Sequence, residues 1–144
     1  MTDRDEIAEL ASKLGLLADA RDWSTLEALF CDEVHLDYTS LTGGEPQHLA
    51  PADIIGGWRE NLGPLRATHH LIANHVVEVD GDEANLIANV TATHVGETDT
   101  GDTTWTVGGR YDLRARREPD GWRIAALTLT VRWASGNQAI MGGP

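Results

Sequence analysis

The sequence predicts an α+β fold in which N-terminal helices pack on a strongly curved, mainly antiparallel sheet that encloses an apolar pocket. Three observations predict it. Residues 2–22 carry apolar side chains at helical spacing, and two further short helical stretches follow before residue 63. From residue 67 the pattern changes to long β-branched runs joined by tight turns, the mark of antiparallel hairpins. The 144 residues, 41% of them hydrophobic, suffice for one core around a ligand-sized cavity. No repeat, low-complexity stretch or linker divides them, so a single domain over 1–144 is expected.

In the first helix, Ile7, Leu10, Ala11, Leu14, Leu17 and Ala18 recur every three or four residues, and Thr2 with Asp5 resembles a capping box. Ser24 and Glu27 suggest the start of a second, short helix whose apolar side is Leu26, Leu29 and Phe30. Residues 33–40 alternate with period two, placing Val34, Leu36 and Tyr38 on one face and His35, Asp37 and Thr39 on the other. The segment TGGEPQH reads as a loop. Pro51 opens a third helix over 51–61, where its missing N–H costs little. Four long strands follow: 67–79 and 84–95 around the turn DGDE, then 104–117 and 122–133 around the turn EPDG. An acidic loop, GETDTGDT, joins the two hairpins.

Successive strand side chains point to opposite faces, which sorts the candidates. Ala84, Leu86, Ala88, Val90, Ala92 and His94 share one face, a row of small apolar residues ending in an imidazole. The neighbours His69 and His70 must diverge: one joins Leu71, Ala73, His75 and Val77, the other Thr68, Ile72, Asn74 and Val76. Alternation does not say which set is inside. In the last strand Leu127, Leu129, Val131 and Trp133 alternate with Thr128, Thr130 and Arg132. In the strand before it Trp105, Val107, Gly109, Tyr111, Leu113 and Ala115 oppose Arg110, Asp112 and Arg114. Asp19 lies off the apolar stripe of the first helix, beside the small residues Ala8, Ser12 and Gly15. By position alone it reads as a solvated carboxylate.

Charge narrows the partners. Against 23 acidic residues stand 11 lysines and arginines, a formal charge of −12. Such a surface repels phosphate backbones and anionic lipid, so neither nucleic acid nor membrane is expected as a partner. Cys31 is the only cysteine, which excludes an intrachain disulfide and fits a small core residue. The opening stretch MTDRDEIAEL has no basic region followed by an apolar one, and no apolar run reaches membrane-spanning length. A cytoplasmic location is the corresponding expectation. Apolar side chains such as Trp105 and Ile87, if left outward, point to a homo-oligomer, dimer or trimer.

The segments LADARDWSTLEALFCDEVHLDYTS, LRATHHLIAN and DGWRIAALTLTVRW together resemble the scytalone dehydratase pattern over most of residues 15–135. That family belongs to the wider SnoaL-like group with the nuclear transport factor two fold, a cone-shaped α+β barrel with a deep apolar pocket. The resemblance implies catalytic roles for Asp19, Tyr38, His70 and His94, with His70 the inward member of the histidine pair and Thr68, Ile72 and Asn74 inward beside it. It implies substrate contacts at Trp58, Leu127, Leu129 and Val131, with inward polar positions at Arg110 and Asp112 or at Gly109 and Tyr111. Departures are Ala18, where the family has a second tyrosine, and a C-terminal segment, ASGNQAIMGGP, unlike the family's Phe-rich lid. They point to a larger, polyketide- or steroid-like ring as substrate.

Such residues suit dehydration beside a carbonyl, which needs a base for the α-proton, an acid for the leaving hydroxyl and a donor for the oxyanion. Histidine exchanges a proton near neutrality, and a carboxylate on Nδ1 fixes its tautomer. The expectation is that Asp19 orients His70 as base, His94 assists the leaving hydroxyl and Tyr38 polarises the carbonyl, although Asp19 could equally orient His94. No cofactor is required and no metal site is expected, because His69 and His70 point apart and no HxH or HxxxH pair occurs. Two alternatives stand beside the dehydratase: an isomerase or aldol-type cyclase using the same base, and a non-catalytic small-molecule-binding module.

Overall fold

The computed structural model describes residues 1–142. Helix α1 spans Asp3–Ala20, α2 Trp23–Glu27, α3 Thr39–Thr42 and α4 Pro51–Leu62. Strands β1 (Phe30–Asp37), β2 (Gln47–Leu49), β3 (Ala67–Asp80), β4 (Glu83–Val95), β5 (Thr104–Glu118) and β6 (Gly121–Gly136) form one sheet in the order β2-β1-β6-β5-β4-β3. All neighbours are antiparallel except β1 and β6. The fold is the expected α+β class, with β2 and β3 left as edges of a curved but unclosed sheet.

Helix α1 starts as its sequence requires. Thr2 Oγ1 accepts from the Asp5 amide at 3.2 Å, and Asp5 Oδ2 accepts from the Thr2 amide at 3.2 Å. Ile7, Leu10, Ala11, Leu14 and Ala18 then pack with Leu26, Phe30, Val34, Ile54, Leu86, Ile124 and Leu127 in the main core. The helix ends at Arg21, which adopts a left-handed conformation (φ 56°). Its guanidinium donates to the carbonyls of Leu62 and Leu65, tying the end of α1 to the connection between α4 and β3.

Four local expectations need correction. The cap of α2 is Asp22, whose Oδ1 accepts from the Thr25 amide, and not Ser24. The first strand stops at Asp37, because Asp37 Oδ1 accepts from the amide (3.0 Å) and hydroxyl (2.7 Å) of Thr39 and turns the chain into α3. The expected loop contains β2, three residues too short to show alternation, paired with Val34–Leu36. Trp105 is buried with Val107 against Ile140 of the 3-10 turn Gln138–Met141, so it offers nothing to a partner.

A bulge in β3 supplies a fifth. Ala73 pairs with Asn89 and Val76 with Ile87, leaving Asn74 and His75 together opposite Ala88. Asn74 takes a left-handed φ of 61°, which asparagine tolerates, and its Oδ1 accepts from Asn89 Nδ2. Beyond this point the faces exchange. Thr68, His70 and Ile72 point in as expected, but Asn74 and Val76 are exposed while Val77 is buried.

Candidate active site

Asp19 is not a solvated carboxylate. It sits on the last turn of α1 where that helix crosses β3, and three donors converge on it. Oδ1 accepts from His70 Nδ1 at 2.7 Å and from Thr68 Oγ1 at 2.9 Å, and Oδ2 accepts from the His70 amide at 2.9 Å. Burial works to raise its pKa, but these bonds and the His70 charge outweigh that and hold the carboxyl below its ordinary value. An ionised Asp19 can only accept, so the His70 proton resides on Nδ1 and Nε2 is left as a bare acceptor.

The small residue stripe has its reason here. An added Cβ at Gly15 would lie 3.0 Å from the His70 carbonyl oxygen and 3.1 Å from His70 Cβ. Glycine lets β3 approach α1 closely enough for the three bonds to Asp19. A Gly15→Ala variant gains about 1 kcal/mol of helix propensity, against about 1–3 kcal/mol for overpacking. The expected outcome is a net loss of up to about 2 kcal/mol in urea denaturation, with slower turnover; wild-type stability and turnover would contradict this close-packing role.

A cavity of about 30 Å³ lies beside His70, lined by Leu14, Gly15, Ala18, Tyr38, Trp58, His70, Ile72 and Tyr111. Tyr38 and Tyr111 meet across it, hydroxyl to hydroxyl, at 2.7 Å. Both phenols are pushed above their ordinary pKa, first of all by burial, so both are neutral near pH 7. Of the expected pocket residues, Tyr38, His70, Trp58 and Tyr111 therefore share one cavity, and Asp19 supports it from behind His70.

The others lie elsewhere. Asp112 is on the outer face of the sheet in a bidentate pair with Arg110 (2.7 and 3.0 Å), because it alternates with the inward Tyr111. Leu127 and Leu129 are core residues, and Val131 packs on that core; none of the three lines the cavity. His94 is buried beside His70, ring centroids 6.1 Å apart, but does not line the cavity either. Its Nδ1 faces the Trp105 carbonyl at 2.9 Å, which can only accept, so the proton is on Nδ1 and Nε2 has none to give. Asp19 thus orients His70 and not His94.

Burial, aided by His70, outweighs the Trp105 carbonyl and the Asp19 charge and lowers the His94 pKa below 6.5. A histidine with a depressed folded pKa adds stability that is complete above its unfolded value and is lost as pH falls through the folded one. Wild-type stability is therefore expected to drop between pH 7.5 and 5.5 more steeply than that of His94→Gln. Parallel urea-denaturation profiles for the two proteins would contradict this.

Sequence reasoning placed Thr68 inward without a role; its signal is a hydroxyl two residues before His70 on the same strand face. Gly15, four residues before Asp19, was equally readable as a contact point. His75 is half-buried with Nε2 donating to the Ile72 carbonyl, and Cys31 is a buried thiol pushed up to about 11, first by desolvation. Among the described residues no three His, Cys, Asp or Glu side chains are grouped to hold a metal.

The model of a SnoaL-like domain matches residues 1–128. The chain belongs to the SnoaL-like family. The SnoaL-like chain is similar to the Kfla4162 protein from Kribbella flavida, at 33% identity over 98% of this chain and 97% of that one, with a TM-score of 0.92. It is also similar to a protein from Novosphingobium aromaticivorans provisionally named an aromatic ring hydroxylase (25% identity, 96% of each chain, TM-score 0.83). A third, from the same organism and provisionally named a scytalone dehydratase, matches at 17% identity over 96% of this chain and 93% of that one, TM-score 0.79. That last likeness shows the fold. A search of curated proteins finds no match. Among the described residues, no helix is long and apolar enough to cross a membrane.

Proposed function

We propose that this SnoaL-like protein is a cofactor-independent dehydratase acting on a small cyclic β-hydroxy carbonyl compound. The observation that carries the reading is the Asp19–His70 pair: His70 lines a cavity edged by two neutral phenols, and its Nδ1 is taken by Asp19 while Nε2 stays unbonded among the described residues. In this reading His70 Nε2 removes the α-proton, and Asp19 stabilises the imidazolium that forms. A phenol O–H bonds the growing enolate oxygen. The electron pair then forms the C=C bond as the β-hydroxyl leaves, taking the proton from His70 Nε2 and departing as water.

His94 has no role as acid in this scheme, since its one proton is held by the Trp105 carbonyl. One imidazole both takes and returns the proton, which requires hydrogen and hydroxyl to leave from the same face of the ring. The test is incubation with 3-hydroxycyclohexanone stereospecifically deuterated at C2. Appearance of cyclohexenone with loss of the syn label supports the reading. A product of unchanged mass favours an isomerase, and no reaction at all defeats the small β-hydroxy-ketone assignment.

Self-association is proposed through the outer sheet face. Leu71 and Val76 are more than half exposed there, on the edge strand β3, and Ile87 stands opposite Val76 on β4. Light scattering at micromolar concentration is expected to return at least a dimer mass; a monomer mass would remove the proposal.

A further inference from the structure

Tyr38 and Tyr111 come from unrelated parts of the chain, the residue that caps α3 just after β1 and the middle of β5, yet their oxygens lie 2.7 Å apart in a partly buried setting. Among the described residues neither hydroxyl has another hydrogen-bond partner. Each phenol has one proton to donate. One O–H is therefore committed to the other tyrosine's oxygen, and the second O–H has no acceptor on the protein, with the cavity beside it.

We propose that the two tyrosines work as a single two-phenol donor, in which one tyrosine positions and polarises the other and only the second touches the substrate's carbonyl oxygen. The proposal rests on the elimination reading of the same cavity. Its physics is that of hydrogen-bond chains. A phenol whose oxygen accepts a bond is a stronger donor through its own O–H, and the strengthening grows as negative charge develops on the acceptor. Apolar walls of Leu14, Ala18, Trp58 and Ile72 keep the local dielectric low, which enlarges the effect. The pair also fixes where the donor stands, since Tyr38 is braced by Trp58 at 6.3 Å between ring centroids and Tyr111 is held in the sheet. Removing either hydroxyl then disables the same device.

The chain contains only two tyrosines, so ionisation absorbance at 295 nm reports this pair alone; tryptophan does not titrate. In the wild-type protein the first tyrosinate formed is stabilised by the remaining phenol. The surviving tyrosine of Tyr38→Phe or Tyr111→Phe is expected to ionise later than that first step, by about one pH unit or more. Curves in which each variant retraces half of the wild-type titration would overturn the proposal. Because phenylalanine keeps the ring, a thermal scan of each variant confirms that the fold survives.

Turnover of 3-hydroxycyclohexanone gives the second arm. Each single variant is expected to lose about 10²–10³-fold in kcat with a smaller change in KM, and the double variant to lose no more than the slower single one. Losses that multiply in the double variant would show two independent contacts and sink the idea. If the wild type does not convert this ketone, the elimination reading fails on its own, and the ligand-free titration still decides whether the pair is one unit.

Discussion

His70→Ala is expected to lower kcat/KM by about 10²–10⁴-fold, the range attributable to a positioned general base, while the protein stays folded. The magnitude follows from the lack of a substitute. His94 lies 6.1 Å away by ring centroid and does not line the cavity, Asp19 has both oxygens occupied, and the two phenols are neutral. His70 also makes part of its contribution through its backbone amide, which the alanine variant keeps bonded to Asp19. Circular dichroism should thus change little. A variant retaining wild-type kcat/KM would leave the fold assignment intact and end the case for His70 as base.

Asp19→Asn carries the second large effect, about 10⁴-fold in kcat by the logic of a base left in the wrong tautomer. The amide offers one acceptor where the carboxylate offers two, and three donors compete for it. If its nitrogen turns toward His70, Nδ1 becomes the acceptor and the ring proton moves to Nε2, which removes the base without removing the histidine. The same substitution has a signature in stability. The Asp19 pKa is depressed in the folded protein, so its contribution is complete above the unfolded carboxyl range and is lost as pH falls through the folded value. Wild type should lose this increment in acid, and Asp19→Asn should lack it at every pH. Equal acid limbs in the two denaturation profiles would contradict the depressed carboxyl, and wild-type turnover in Asp19→Asn would contradict its orienting role.

The order of elements was legible because hydrophobic period survives in every long element. The two long helices, the short α2 and the four long strands were all readable, and the strand beginning at Ala84 shows its buried face without ambiguity. Pairing of Asp19 with His70 was not readable from spacing. It depends on Gly15 letting two backbones approach, a contact that joins residues about fifty positions apart. The resemblance leaves His70 and His94 as alternative partners, and the hydrogen bond to Nδ1 singles out His70. Alternation places His94 on the buried face but says nothing of what its ring nitrogens meet, here a backbone carbonyl. For Asp112 the resemblance leaves two pairs as alternatives, Arg110 with Asp112 or Gly109 with Tyr111; the structure buries Tyr111, and alternation then turns Asp112 outward to Arg110. Asn74 broke the face assignment of β3 by a single inserted residue, which no period-two reading detects.

The cavity's size has a kinetic consequence. Thirty cubic ångströms is about the room of one water molecule, whereas ligand pockets usually span roughly 300–1,000 Å³. A six-membered ring cannot enter the conformation described, so entry must wait for a fluctuation that parts Trp58 or the phenols from the wall formed by α1. In stopped-flow mixing the observed binding rate should then level off with ligand concentration, at a ceiling set by the protein's own opening and shared by ligands of different affinity.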